Sequence, residues 1–447
     1  MREPNSDAFE LAGSGRSAED HALLRYSMMR SWQRRYTLVG LGFAATFICY
    51  IDRVNISVAI IPMSAELGWN ATTQGMVLSA FFVGYLLTQI AGGRLADRFG
   101  GKIVLAGGVM LWSLFTMLTP PAAALGFVAL LVVRIGMGLG EGVNFPAIYT
   151  LHARWIPVDE RARAMALNNS GIPLGTVFAL VVTPMVVARL GWQWAFYLFG
   201  SVGLVWFAVW QIGTAADPSR HPRISPAELE HIRSHSTPAG EPGTAPPITA
   251  FLGHPSVWAI IVAHFCNNWS LYVLLTWLPT FVNKGLGVNF ASVGWFTMFP
   301  HIAYFVFLNV AGTVADRLIR RGMEVGRVRK LMQTIGFGGV AIALLIVGHV
   351  HSATTAIAIM TLGNGIFAFT AGGFFVNHMD IAPRSAGTLM GITNTAATIP
   401  GIIGVYVSGM ILDATGSWAL VFDVAAGIAL FGLVFYLIFA SGKKVFD

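Results

Sequence analysis

Apolar runs of about twenty residues recur along almost the whole chain, and no other feature limits its folding as much. At ~1.5 Å of rise per residue, each run is long enough as a helix to cross a ~30 Å hydrocarbon core. Read in order they cover residues 36–58, 74–91, 103–118, 126–151, 164–188 and 194–214, then 257–282, 291–314, 330–350, 354–377, 388–412 and 418–440. These are membrane spans rather than core strands. Composition agrees: 55% of the residues are hydrophobic and 11% charged, against roughly 25% charged in a soluble domain.

Charge placement tests this map, because short cytoplasmic loops collect Lys and Arg. Of the 28 basic residues, all but Arg53, Arg134, Arg189 and Lys284 fall on one side of a twelve-span chain. An odd number of spans would scramble that sorting, so both termini are expected in the cytoplasm. The net charge of +7 is dispersed over these short segments, which fits topology and not a nucleic-acid surface. Cys49 and Cys266 both lie in spans and are expected to be inert. They supply neither a disulfide framework nor a zinc site, and no metal or cofactor is expected. The first 35 residues carry no removable signal peptide pattern, so the first span is expected to direct insertion.

The domain reading is a tail (1–35), a six-helix bundle (36–214), a cytoplasmic linker (215–255), a second six-helix bundle (256–440) and a short tail (441–447). Within the linker, Ser225-Pro226 followed by Glu228 predicts a short helix with Ser225 as its N-cap. The halves echo one another. Gly93-Arg94-Leu95-Ala96-Asp97-Arg98 after the second span recurs as Gly312-Thr313-Val314-Ala315-Asp316-Arg317 after the eighth, and Met165 and Asn169 recur as Met390 and Asn394.

A duplicated six-helix unit with an Asp-Arg turn between its second and third helices resembles the major facilitator superfamily, whose loop signature is met here by Gly93, Asp97, Arg98, Gly100 and Lys102. The resemblance implies an all-α membrane protein of twelve transmembrane helices in two pseudo-symmetric bundles. It also implies that these residues, with Asp316 and Arg317, belong to a cytoplasmic gate.

Four charged residues, Asp52, Arg53, Arg134 and Glu141, lie inside apolar spans, where each costs about 2.5–3.5 kcal/mol even on the mildest scale. Structural ion pairing is the plainer explanation for any one of them. Arg134 and Glu141 are seven residues apart and so stand on one helix face ~10.5 Å apart along the axis, too far to pair simply. Tyr50 shares a face with Arg53, whereas Asp52 points about 100° away. A guanidinium facing a cavity suits a carboxylate or phosphate, because its planar fork donates two parallel hydrogen bonds. The glycines at 136, 138, 140 and 142 read as close helix approach rather than a nucleotide loop.

Five segments carry a closer resemblance. They are Asp52-Arg53-Val54-Asn55, Gly84-Tyr85-Leu86-Leu87-Thr88-Gln89-Ile90, Gly138-Leu139-Gly140-Glu141-Gly142, His264-Phe265-Cys266-Asn267-Asn268-Trp269 and Asn377-His378-Met379-Asp380-Ile381-Ala382-Pro383-Arg384. Together they are similar to the anion:cation symporter branch, which includes sialin, vesicular glutamate transporters, plastid phosphate and ascorbate transporters and bacterial sugar-acid transporters. The resemblance implies that Arg53 meets the substrate anion, that Asp52 and Glu141 are proton-coupling carboxylates with Arg134 as their partner, and that Tyr50 and Tyr85 line the cavity. Asn267 stands where vesicular glutamate transporters carry an arginine, and Ile172 where sugar-acid transporters carry a glutamine. The plastid-type members look closest, through Ile61-Pro62-Met63-Ser64-Ala65-Glu66.

Asn268, Tyr272 and Asn394 could hydrogen-bond a solute or simply join helices. His264, His301 and His378 read first as packing residues. The expectation is a secondary transporter: proton-coupled symport of a small organic carboxylate or phosphate by alternating access, acting as a monomer in lipid, in the inner membrane if the source is bacterial. A proton antiporter exporting an organic solute is the nearer rival. A membrane-embedded receptor or enzyme is the distant one, since no extramembrane catalytic domain or nucleophile–base spacing is present.

Overall fold

The structure is a computed structural model that describes residues 33–235, 248–383 and 385–446. Most of the expected N-terminal tail and residues 236–247 of the linker lie outside the described residues. Among those described, twelve helical segments are long and apolar enough to cross a membrane. The N-terminal half contributes Arg34–Glu66, Ala71–Gln89, Gly101–Leu125, Phe127–Trp155, Arg163–Leu190 and Trp192–Gly213. The C-terminal half contributes Pro255–Gly285, Phe290–Arg320, Val325–Val347, Ala353–Ile381, Thr388–Thr415 and Trp418–Phe439. They are called the first to twelfth spans below.

Three features differ from the sequence reading. The first span is longer than expected, because helix Arg34–Glu66 runs on through Pro62. The signature between the second and third spans is helical rather than a loop. Helix Ala71–Phe99 carries Gly93 to Arg98 in its final turns and stops at Gly100, whose φ of 88° suits glycine. In the eighth span Gly312, Asp316 and Arg317 are likewise helical. Finally, the fourth and tenth spans are broken. The fourth consists of Phe127–Glu141 and Asn144–Trp155. The tenth consists of Ala353–Phe367, a tight turn at Ala368–Gly372, and Phe374–Ile381.

Glycine governs the packing of the N-terminal half. A Cβ at Gly138 would strike the Phe81 carbonyl, and one at Gly142 would lie 2.9 Å from the Tyr85 carbonyl, so this face of the fourth span meets the backbone of the second. On the other face Gly140 meets the backbone of Trp112 and Gly108 in the third span, while Gly136 makes room for the Phe115 ring. Gly138, Gly140 and Gly142 therefore let one span touch two neighbours backbone to backbone.

The linker belongs physically to the N-terminal half. Helix Pro226–Ser234 starts on Ser225, whose hydroxyl accepts the Glu228 N–H at 3.1 Å. The Glu228 carboxylate in turn accepts the N–H groups of Arg34 and Arg35, each at 3.0 Å, and so caps the first span. Arg35 also pairs with Glu160 at 2.8 Å.

The halves touch chiefly on the face away from the termini. There Asp413 accepts from Ala71 and Thr72, Lys284 donates to Ser64 at 3.4 Å, and a Cβ at Gly294 would collide with the Leu180 carbonyl. Deeper along the second and eleventh spans, the Thr398 hydroxyl donates to Gln89 at 3.1 Å. Among the described residues, no hydrogen bond joins the halves nearer the termini than this one. Among the described residues, the hydrogen bonds between the halves are gathered on the face away from the termini.

Candidate functional site

Arg53 lies midway along the first span and is buried, with 6% of its surface exposed. Its guanidinium carbon sits 4.7 Å from the Tyr50 ring centroid, 4.9 Å from Phe81 and 4.7 Å from Tyr85. Three aromatic faces thus surround one cation, each contributing roughly 0.5–2 kcal/mol. The same guanidinium grips Glu141, its Nε at 3.0 Å and Nη2 at 2.9 Å from Oε2. Tyr50 and Tyr85 join Arg53 as expected. Phe81 was missed, although it stands one helical turn before Tyr85.

Glu141 reaches Arg53 because it ends helix Phe127–Glu141 at the break in the fourth span. Helix spacing excluded a direct pair with Arg134, although the resemblance implied a partnership between them. Arg134 turns toward Met137, with Nη1 3.0 Å from the sulfur, and its guanidinium carbon lies 5.5 Å from the Phe81 ring centroid. Separation along one helix axis keeps it from Glu141, whereas the first span brings Arg53 in from the side. Arg134 acts on Glu141 only at longer range.

Cys49 corrects a second expectation. It is not inert packing: its thiol donates to Glu141 Oε2 at 3.2 Å, and Arg53 Nη2 lies 3.9 Å from the sulfur. Cys49 precedes Arg53 by four residues, so the helical period already placed it on that face. Asp52 points elsewhere, as its position predicts. It is fully buried, and neither oxygen has a hydrogen bond of good geometry, although the Trp112 indole stands close enough to act on it.

The C-terminal half supplies the facing wall. The Tyr272 ring packs at a tilt against Phe82, centroids 4.5 Å apart, and stands beside Tyr85 and Arg53. One turn earlier, Asn268 donates to the Ala397 carbonyl at 2.9 Å and lies 3.5 Å from the Tyr272 hydroxyl. This asparagine joins the seventh span to the eleventh. Asn394 is half-buried, and only its backbone carbonyl bonds, to Thr398 at 3.0 Å; the structure does not bring its side chain to Arg53. His264 and His378 both bond the Thr393 hydroxyl, at 3.1 and 2.8 Å, and so tie three spans together.

Of the residues expected to form a cytoplasmic gate, Lys102 turns to its own half. Lys102 donates to the carbonyls of Thr214 at 2.7 Å and Gln211 at 3.3 Å, capping the end of the sixth span. Arg98 lies exposed over its neighbour Phe99, at 5.3 Å, and Asp316 and Arg317 are exposed. The backbone of Gly93 and Asp97 is helical, while the Asp97 side chain lies outside what is described. Among the described residues, no group of three or more His, Cys, Asp and Glu side chains could hold a metal ion.

The family model described as Major Facilitator Superfamily matches residues 42–405. The chain is 45% identical over 419 residues to an ascorbate transporter, chloroplastic, of Arabidopsis thaliana, covering 93% of this chain and 77% of that protein. It is 44% identical to sodium-dependent phosphate transport protein 1, chloroplastic, of the same species, covering 93% and 80%, and 36% identical to sialin of Ovis aries, covering 92% and 90%. Among solved structures, a D-xylose-proton symporter superposes with a TM-score of 0.74 at 17% identity, over 92% of this chain and 99% of that one. A bacterial homologue of the lysosomal transporter Spinster gives 0.72 at 17%, over 92% and 96%. These two establish the fold alone. The chain is a membrane transporter rather than an enzyme, and it belongs to the major facilitator superfamily, in its anion:cation symporter branch.

Proposed function

We propose that the protein carries a small anion, an organic carboxylate or phosphate, together with protons, by rocking its halves about a central site. The observation that carries this reading is the Arg53 guanidinium held by Glu141 within the ring of Tyr50, Phe81 and Tyr85, facing Tyr272 of the other half. Protonating Glu141 removes the negative partner and frees a planar fork of donors for a bidentate oxyanion. A proton entering with the anion keeps the buried charge balanced, and an uncompensated charge in hydrocarbon opposes transit. Asp52 is the second coupling carboxylate, and Arg134 tunes Glu141 at longer range. Ascorbate and phosphate, named for two relatives, are the first substrates to try. The basic loops and both termini face the cytoplasm, and one chain suffices.

Proton antiport exporting an organic solute would use the same carboxylates, but Arg53 disfavours cationic cargo. Counterflow of labelled phosphate and ascorbate in proteoliposomes decides. Arg53→Ala is expected to lose both exchange and accumulation, and Glu141→Gln to keep exchange while losing accumulation driven by a proton gradient. Undiminished uptake by Arg53→Ala would sink the assignment.

A further inference from the structure

The Arg53 bridge uses one oxygen of Glu141 and leaves the other bare. Oε2 accepts Arg53 Nε at 3.0 Å, Arg53 Nη2 at 2.9 Å and the Cys49 thiol at 3.2 Å. Oε1 is buried and has no hydrogen-bond partner. With three donors gathered on Oε2, the open lone pairs for an arriving proton are those of Oε1.

The direction of the Cys49 side chain sets it apart from two small hydroxyls of its own span. Those of Ser57 and Ser64 turn back onto the carbonyls of Val54 and Ile61, at 2.7 and 2.9 Å. Such local bonds are the common habit of a short polar side chain in a helix. The thiol, a weak donor, instead reaches a carboxylate 92 positions away in the fourth span. Cys49 is fully buried, so water does not compete for that bond.

A hydrogen bond to a carboxylate favours its charged form. The other charged and titratable groups around Glu141 are Arg53 and Asp52 of the first span, Arg134 of its own span and Tyr85 of the second. Of these, Arg53 bonds it directly and the rest act across space. When the guanidinium turns to an anion, that bond goes. A carboxyl protonated on Oε1 still offers Oε2 as an acceptor, and Cys49, one turn before Arg53, is already on it. We propose that Cys49 is a positioning residue for Glu141: its thiol keeps the acid in place while Arg53 changes partners, and it sets the proton concentration at which the site loads.

The test follows uptake of labelled phosphate, and in parallel of labelled ascorbate, by the full chain in proteoliposomes over a series of external pH values at constant internal pH. Cys49→Ala and Cys49→Val both remove the donor, and their side chains are respectively smaller and larger than the thiol. Without the bond Glu141 takes its proton from a more dilute supply, so the pH of half-maximal uptake is expected to rise by about half a unit to one unit in both variants. An unchanged midpoint would overturn the role. So would a shift in Cys49→Ala that Cys49→Val abolishes, because volume and not hydrogen bonding would then be its cause. Should one variant not fold, the midpoint of the other decides. The inference rests on the reading of Glu141 as a coupling carboxylate, and the two fail differently. Wild-type uptake indifferent to external pH removes that reading and the positioning role with it. Uptake that depends on pH, is lost in Glu141→Gln and keeps its midpoint in both Cys49 variants leaves coupling standing without the thiol.

Discussion

The Asp413 carboxylate, in the last turn of the eleventh span, accepts the Thr72 backbone N–H at 2.6 Å, across the boundary between the halves. Its other oxygen takes the Ala71 N–H at 2.8 Å. The second span begins here, and its opening N–H groups have no partner within the helix. A carboxylate at this end also meets the positive pole of the helix. One side chain thus latches the closed face.

Asp413→Ala should loosen that face. Losing a charged hydrogen bond of ~1.5 kcal/mol shifts a two-state balance about tenfold. The check is a cysteine replacing Tyr406, which packs across the boundary on Gly75. Its labelling by an impermeant maleimide should quicken several-fold in the Asp413→Ala background, and equal rates would dismiss the latch.

Gly138→Ala should cost about 1–3 kcal/mol, because the new methyl meets the Phe81 carbonyl in a backbone contact that cannot yield cheaply. Gly427→Ala, in the twelfth span with open space around it, should be neutral or slightly stabilising. Unfolding temperatures of the two variants should separate clearly.

Arg329 ties the ninth span to the tenth, donating from Nε to Asp380 at 2.7 Å, from Nη2 at 3.2 Å and from Nη1 to the Gly372 carbonyl at 3.1 Å. The pair is largely shielded, so Arg329→Met should destabilise by ~3–5 kcal/mol, having stranded Asp380. Arg327→Ala, which removes an exposed pair with Glu324 at 3.5 Å, should change little. Comparable losses in the two thermal unfolding curves would contradict this ranking.

Acid should undock the linker. His221 Nδ1 accepts the Arg223 N–H at 3.2 Å, Nε2 faces the Gly213 carbonyl at 3.4 Å, and the ring meets Trp155 edge-on. Burial lowers its pKa, with Arg34 and Arg223 adding to the effect and the Gly213 hydrogen bond opposing it. A folded pKa below the unfolded value means that this stabilisation is complete above about pH 6.5 and fades as pH falls toward the folded value. Limited proteolysis of the linker should therefore speed up between pH 7.5 and 5.5, and His221→Gln should flatten the response.

The spans were legible because period and length in an apolar chain admit few readings, and the relation of Tyr50 to Arg53 followed from three-residue spacing alone. What the sequence could not show was which helix crosses beside which. Arg134 and Glu141 share a helix, yet Glu141 is claimed by an arginine 88 positions earlier in the chain. Cys49 and Phe81 were readable as one-turn neighbours of Arg53 and Tyr85 but looked like ordinary apolar residues. The latch at Asp413 was invisible, since its partners are backbone groups of a helix end that carry no side-chain signature.

The bridge between Arg53 and Glu141 is internal to one half, whose fourth span its glycines seat against the second and third like planed boards. Rigid swinging of that half carries both charges along and never prises them apart. On the proposed reading, what undoes the clasp is chemical, a hydrogen ion arriving or a rival oxyanion displacing the acid, so commitment to the load is made by titration and the swing merely delivers it.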